Sequence, residues 1–250
     1  MPLIKIMTSV DMPADKREGF LAAVSKAVAD VTVRLVPGDY NNDGRFDLAY
    51  FEPSSATWFI KTVEGSILTS QHPWGWSSAL PVSGDFNGDG RYDLAVYDTL
   101  GGNWFIKSPS GPILAWALQW GNRTSIPVPG DYNGDGQFDL AVFDRATGSW
   151  YIRTLGGGVI AWGERWGWNG ARPVPGDYDG DEKFDLAVFD PATGNWYIRS
   201  VAGAILAWAQ PWGWNTAIPM AGDFNGDGRY DLAVYNSFAG QWFVRSLTGT

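Results

Sequence analysis

Residues 130 to 143 read Gly130-Asp131-Tyr132-Asn133-Gly134-Asp135-Gly136-Gln137-Phe138-Asp139-Leu140-Ala141-Val142-Phe143. The first part alternates oxygen-bearing side chains with glycines. The second is an apolar run of the length of a buried strand, bounded by turn formers. The Gly-Asp-aromatic opening recurs at Gly38, Gly84, Gly176 and Gly222, so that successive copies start 46 residues apart. Trp58, Trp104, Trp150, Trp196 and Trp242 keep the same period, as do Trp74, Trp120, Trp166 and Trp212. No insertion or deletion interrupts the spacing from Gly38 to Thr250. Self-similarity at such a period marks a fold built from one repeated unit.

Each unit reads as short strands. In the third copy they are Phe138 to Phe143, then Ser149 to Arg153 with period-two alternation, then Val159 to Trp162 after a glycine turn, then Arg172 to Val174. Four strands in 40 to 50 residues is the spacing of a propeller blade, whereas a β-sandwich has no reason to keep one period five times. The expected fold is therefore all-β, a five-bladed β-propeller of 46-residue four-stranded repeats over residues 31–250. The fourth strand type first occurs at Val33 to Val36, and the third type has no fifth copy before Thr250. The fifth blade is thus expected to lack one strand, which leaves room for assembly into oligomers.

Composition narrows the function classes. Thirty-two Gly, fifteen Pro and fifteen Trp suit short strands and tight turns. With no Cys and only His72, disulfides, thiolate or multi-histidine metal sites and a cysteine nucleophile are excluded, and histidine catalysis is disfavoured. A net charge of −9 argues against nucleic acid as a partner. No apolar stretch approaches the roughly 20 residues of a membrane-spanning helix. Met1 to Phe20 lacks the continuous apolar core of a secretory signal, so none is expected there, and the compartment stays open.

The acid concentrates in five loops. In Asp131, Asn133, Asp135, Gln137 and Asp139, oxygen ligands stand at positions one, three, five and nine, and Gln137 offers its backbone carbonyl at seven. This matches the first nine positions of a calcium loop, in which alternate residues of a tight turn point inward. The other copies are Asp39, Asn41, Asp43, Arg45 and Asp47; Asp85, Asn87, Asp89, Arg91 and Asp93; Asp177, Asp179, Asp181, Lys183 and Asp185; and Asp223, Asn225, Asp227, Arg229 and Asp231. The position-seven residue serves through its carbonyl in each. Hydrogen-bonded Asx turns are the plainer alternative, but carboxylates so crowded repel one another without a cation. Up to five Ca2+ ions are expected, in a structural role, with the fourth loop the weakest because Glu182 replaces the Gly at position six. These units resemble bacterial FG-GAP or VCBS-type repeats and the calcium-bearing blades of integrin α-chains, a resemblance that spans Arg34 to Thr250.

Residues 1–30 are foreign to the repeat. Leu3 to Met7 reads as a strand, and about Pro13 to Asp30 as an amphipathic helix with Phe20, Leu21, Val24, Ala27, Val28 and Val31 on one face. Met1-Pro2-Leu3-Ile4-Lys5-Ile6 resembles the opening of the tautomerase family that includes macrophage migration inhibitory factor. That resemblance implies Pro2 as a catalytic base, although the rest of the tautomerase domain is absent. Leu3 to Met7 could instead fill the vacant strand place of the fifth blade.

The tryptophans form two further columns. Trp74 and Trp76, Trp120, Trp166 and Trp168, and Trp212 and Trp214 belong to a Trp-Gly-Trp column, with Asn122 replacing the second Trp in one copy. Trp116, Trp162 and Trp208 make another, with Ser70 in the first copy. Indoles pack blade against blade, and exposed ones stack on sugar rings. The Trp-Gly-Trp column is the better binding candidate, since its Gly leaves room. The expected function is a binding module, lectin-like or adhesive, recognising glycans or a protein surface. The alternatives are a structural scaffold without a small ligand and a tautomerase acting through Pro2.

Overall fold

The computed structural model describes residues 33–109 and 111–247. The strand and helix expected within residues 1–30, and Pro2, lie outside them. The described chain is all-β and forms five antiparallel sheets in a propeller arrangement. The first sheet holds β1 (Arg34–Leu35), β2 (Leu48–Glu52), β3 (Thr57–Lys61) and β4 (Ile67–Pro73), and the second β5 (Leu80–Val82), β6 (Leu94–Asp98), β7 (Asn103–Lys107) and β8 (Ile113–Gln119). The third holds β9 (Ser125–Pro127), β10 (Leu140–Asp144), β11 (Ser149–Arg153) and β12 (Val159–Arg165). The fourth holds β13 (Arg172–Pro173), β14 (Leu186–Asp190), β15 (Asn195–Arg199) and β16 (Ile205–Pro211). The fifth has three strands among the described residues, β17 (Ile218–Met220), β18 (Leu232–Asn236) and β19 (Gln241–Arg245).

Strand order within each sheet follows the chain, so every connection is a simple turn. The Asp-rich loop joins the first strand of a sheet to the second. The second strand of the third sheet, Leu140-Ala141-Val142-Phe143-Asp144, is buried along its whole length, because sheets cover it on both faces. The third strands alternate, with Trp150 and Ile152 inward and Tyr151 and Arg153 less so.

Cores form between successive sheets. Phe143, Trp150 and Ile152 of the third sheet pack with Leu186 and Val188 of the fourth. The same positions join the first sheet to the second, the second to the third and the fourth to the fifth. Trp58, Trp104, Trp150 and Trp196 are fully buried, and each indole N–H donates to the carbonyl of Trp74, Trp120, Trp166 and Trp212, respectively, at 2.8–2.9 Å. A buried indole needs such a partner, and here the partner is the backbone of the Trp-Gly-Trp turn.

Neighbouring sheets are also tied through their Asp-rich loops. The amides of Tyr92, Phe138, Phe184 and Tyr230 donate to the first Asp carbonyl of the preceding loop, at Asp39, Asp85, Asp131 and Asp177. Their rings lie over Gly38, Gly84, Gly130 and Gly176, so closely that a Cβ on Gly130 would come within 2.1 Å of the Phe184 ring. This explains the recurrent Gly of the opening: the next loop occupies its side-chain space.

The fifth sheet differs. Trp242, at the position of the buried Trp150, is 37% exposed, with Phe243 and Val244 exposed beside it. No fifth inter-sheet core forms among the described residues.

Candidate functional site

Two sets of repeated side chains have the makings of a site. The first is the Asp-rich loop. In the third copy Asp131 Oδ1 accepts the Gly134 amide at 2.6 Å and Oδ2 accepts the Gly136 amide at 2.8 Å. Asn133 Oδ1 accepts from Asp135 N, Asp135 Oδ1 from Gln137 N, and Asp139 Oδ2 from Tyr132 N, at 2.8–2.9 Å. The turn thus organises itself around the first Asp and gathers the remaining oxygens. In the fourth copy ligand oxygens of Asp177, Asp179 and Asp185 lie within 4.8 Å of one another. Glu182 holds φ at 65° there and Asn42 at 62° in the first loop, so both non-glycine replacements sit in the left-handed region.

The ninth-position aspartates are buried: Asp47, Asp93, Asp139, Asp185 and Asp231 are at most 2% exposed. Burial, and then the neighbouring loop carboxylates, push Asp93, Asp139 and Asp185 up to about 7, against the pull of the amides that donate to them. Asp93 Oδ1 is buried without a hydrogen-bond partner. A buried unpartnered carboxylate oxygen beside other carboxylates is the donor set of a hard divalent cation, so the residues fit calcium.

The second set lines the grooves between sheets. Trp116, Trp162 and Trp208, on β8, β12 and β16, are 68%, 69% and 67% exposed. Each stands edge-on to two aromatics. Trp208 meets Trp166 at 5.8 Å and Tyr197 at 5.4 Å, Trp162 meets Trp120 and Tyr151, and Trp116 meets Trp74 and Phe105. Immediately after each comes a residue in the left-handed region: Ala117 (φ 52°), Gly163 (φ 70°) and Ala209 (φ 52°), with Gln71 (φ 61°) in the first sheet. Register shifts between the third and fourth strands mark a bulge at the same place. A bulge re-aims the side chain it carries, and a strained backbone repeated at one position holds these rings in the groove mouth.

The Trp-Gly-Trp column builds the groove walls. Trp120 and Trp166 are buried and donate to the carbonyls of Tyr151 and Tyr197 at 3.1 Å, while Trp74 and Trp212 are partly buried. Trp76, Trp168 and Trp214 stand edge-on to Phe105, Tyr197 and Phe243 at 5.0–5.3 Å, and Trp168 is 38% exposed. Between the third and fourth sheets, Arg165, Trp166, Trp168, Tyr197 and Trp208 line a cavity of about 530 Å³. That volume admits a sugar ring with its substituents. Tyr197 and its counterparts Phe105 and Tyr151 were legible in the sequence only as alternating strand residues, because nothing local tells which face of a strand borders a groove.

The chain matches the FG-GAP-like repeat family over residues 39–96 and 85–142, and the FG-GAP repeat over residues 215–249. No curated protein matches it. Among solved structures it is similar to an Agrocybe aegerita lectin that recognises non-reducing terminal N-acetylglucosamine, at 14% identity and a TM-score of 0.57, over 82% of this chain and 61% of the lectin. It is also similar to virginiamycin B lyase from Staphylococcus aureus, at 10% identity and a TM-score of 0.54, over 86% and 68% of the two chains. A protein of unknown function from Bacteroides caccae matches at 12% identity and a TM-score of 0.52, over 88% and 80%. The chain spans about three fifths of the lectin's length, and likenesses at these identities speak for the fold. The described residues contain no helix long and apolar enough to cross a membrane. A single loop-and-strand unit at a fixed period, together with these family matches, makes the chain a β-propeller that carries FG-GAP repeats.

Proposed function

We propose that this protein is a glycan-binding module whose loops hold calcium and whose inter-sheet grooves hold sugar rings. The observation that carries the reading is the exposure of Trp116, Trp162 and Trp208 at 67–69%, each braced by two aromatic edges on a bulged strand. Three large indoles held in water at one repeated position present apolar faces that a stacking partner would cover with gain. A pyranose ring offers an apolar C–H face of matching size, and tyrosine hydroxyls, Asn122 and the groove arginines offer partners to its hydroxyls. Repetition of the groove gives avidity for a polymer or a clustered glycan. The reading is one of binding without turnover.

Calcium would be held by the side chains of Asp39, Asn41, Asp43 and Asp47 and their counterparts in the other loops. The ion would neutralise the buried carboxylates and rigidify the turn that ties one sheet to the next. Probing the calcium-loaded protein on a glycan array tests the function, with Trp162→Ala and Trp208→Ala as controls. Binding that both substitutions reduce is expected. A blank array, or binding indifferent to both substitutions, overturns the reading in favour of a scaffold.

A further inference from the structure

The third strand of each sheet ends on a basic residue: Lys61, Lys107, Arg153, Arg199 and Arg245 keep the 46-residue period in a chain whose net charge is −9. Four of them cap the groove tryptophans. Lys107, Arg153, Arg199 and Arg245 lie over the rings of Trp74, Trp120, Trp166 and Trp212 at 5.8, 5.4, 5.4 and 5.6 Å. A cation on an indole face keeps its N–H donors directed outward from the ring.

The grooves differ in what faces that cation. Between the third and fourth sheets Glu164 pairs with Arg199 at 2.7 Å. The same position on the neighbouring strands holds His72, Leu118 and Gln210. His72 Nε2 lies 3.1 Å from Lys107 Nζ, so a neutral ring faces that cation. Between the second and third sheets Leu118 leaves the Arg153 guanidinium with no carboxylate in salt-bridge reach among the described residues. Its one hydrogen bond there runs from Nε to the Thr154 carbonyl at 3.3 Å, which engages neither terminal nitrogen. Tyr151 and exposed Trp162 share that groove, and Asn122, which stands in the repeat where the next groove has Trp168, is exposed with its Oδ1 accepting from Thr124 and its side-chain amide nitrogen left to donate. The groove between the third and fourth sheets also carries Arg165 at its mouth, but its inner guanidinium is already occupied by Glu164.

Building on the glycan-binding reading, we propose that the groove between the second and third sheets selects an acidic sugar. The anionic substituent pairs with the terminal nitrogens of Arg153, the ring face lies on Trp162, and Asn122 meets a ring hydroxyl. A planar carboxylate matches the guanidinium fork in two parallel hydrogen bonds, and a sulfate ester offers oxygens of the same charge. Leu118 is the specificity position: its apolar side chain denies Arg153 an internal partner, where Glu164 supplies one in the next groove.

The test is calorimetry on the full calcium-loaded chain with methyl glucuronide, methyl glucoside and glucose 6-sulfate. The glucuronide is expected to bind about tenfold tighter than the glucoside, the difference of one charge-assisted pair. Leu118→Glu, which copies the neighbouring groove, should bring the glucuronide-to-glucoside affinity ratio to about one, and Arg153→Gln should do the same. Trp162→Ala should weaken both sugars at this groove. The sulfate shows which anion is preferred: tighter binding than the glucoside supports the anionic site, and its order against the glucuronide identifies the group. Equal affinity for all three sugars, or a preference that survives Leu118→Glu with the melting temperature unchanged, overturns the acidic-sugar inference and leaves the glycan reading standing. No binding of any of the three sugars overturns the acidic-sugar inference, and only a blank glycan array beside it overturns the glycan reading as well.

Discussion

Asp93 accepts the Phe86 amide at 2.9 Å through Oδ2, while its Oδ1 is buried without a protein partner. One half of the carboxylate thus fastens the loop to its own start, while burial and then the charges of Asp85 and Asp89 act against its ionisation. A calcium ion would supply the missing partner. We expect calorimetric titration of chelator-stripped protein to show saturable binding of several ions and a rise in melting temperature, since a ligand of the folded state alone stabilises it by mass action. Asp93→Ala should lower the stoichiometry by one. Unaltered melts with and without calcium would leave the loops as metal-free Asx turns.

Acidity should act in opposite directions on the metal-free and the loaded protein. Burial raises Asp93, Asp139 and Asp185 from 3.8 to about 7 in the metal-free fold. The folded state therefore binds protons more tightly than the unfolded one between those values, and its stability falls as pH rises through about 7. In chelator, the melting temperature should be higher at pH 5 than at pH 8. With calcium the order should invert, because protonated carboxylates release the ion. A pH-independent melt in chelator would show that these aspartates are not buried as described.

The same tryptophan should matter differently in different blades. Trp150 is fully buried and donates to the Trp166 carbonyl at 2.8 Å, whereas Trp242 is 37% exposed. Trp150→Ala should cost about 3–5 kcal/mol by opening a cavity. Trp242→Ala should cost roughly 1–2 kcal/mol less than that, in proportion to the area it already leaves in water. Comparable losses in urea denaturation would mean that another segment covers the fifth sheet in solution.

Strain at the groove bulge can be relieved at one atom. Ala209 holds φ at 52°, where the equivalent residue of the third sheet is Gly163. Ala209→Gly should raise stability by about 0.5–1 kcal/mol, the left-handed penalty of a Cβ less the added freedom of Gly in the unfolded chain. If Trp208 is held by this geometry, the loosened backbone should at the same time weaken sugar binding, which tryptophan fluorescence titration would read.

The strands of a unit were legible because each is bounded by turn chemistry and carries its own alternation. Ser149–Arg153 occurs as expected, and Val159 opens a strand that runs on to Arg165 rather than ending at Trp162. The extension was hidden by Gly163, which reads as a breaker but is the left-handed residue of a bulge within the strand. The loop residues were legible for a similar reason: their ligand pattern is local, closed within nine positions, and the hydrogen bonds of the turn close there too.

Period, blade count and the Asp-rich turns were determined by the sequence alone, because each depends on neighbours a few residues apart or on exact repetition. Which tryptophans are core and which stand in water was decided only by the tertiary structure. Trp150 and Trp162 lie twelve positions apart on consecutive strands of one sheet, yet one is 0% and the other 69% exposed. The difference arises from packing between sheets: the face carrying Trp150 meets the next sheet's Leu186 and Val188, while the bulge turns Trp162 toward a groove that no neighbour fills. The partner of Arg199 is set in the same way, by a Glu164 35 residues earlier that only the juxtaposition of two blades brings to 2.7 Å.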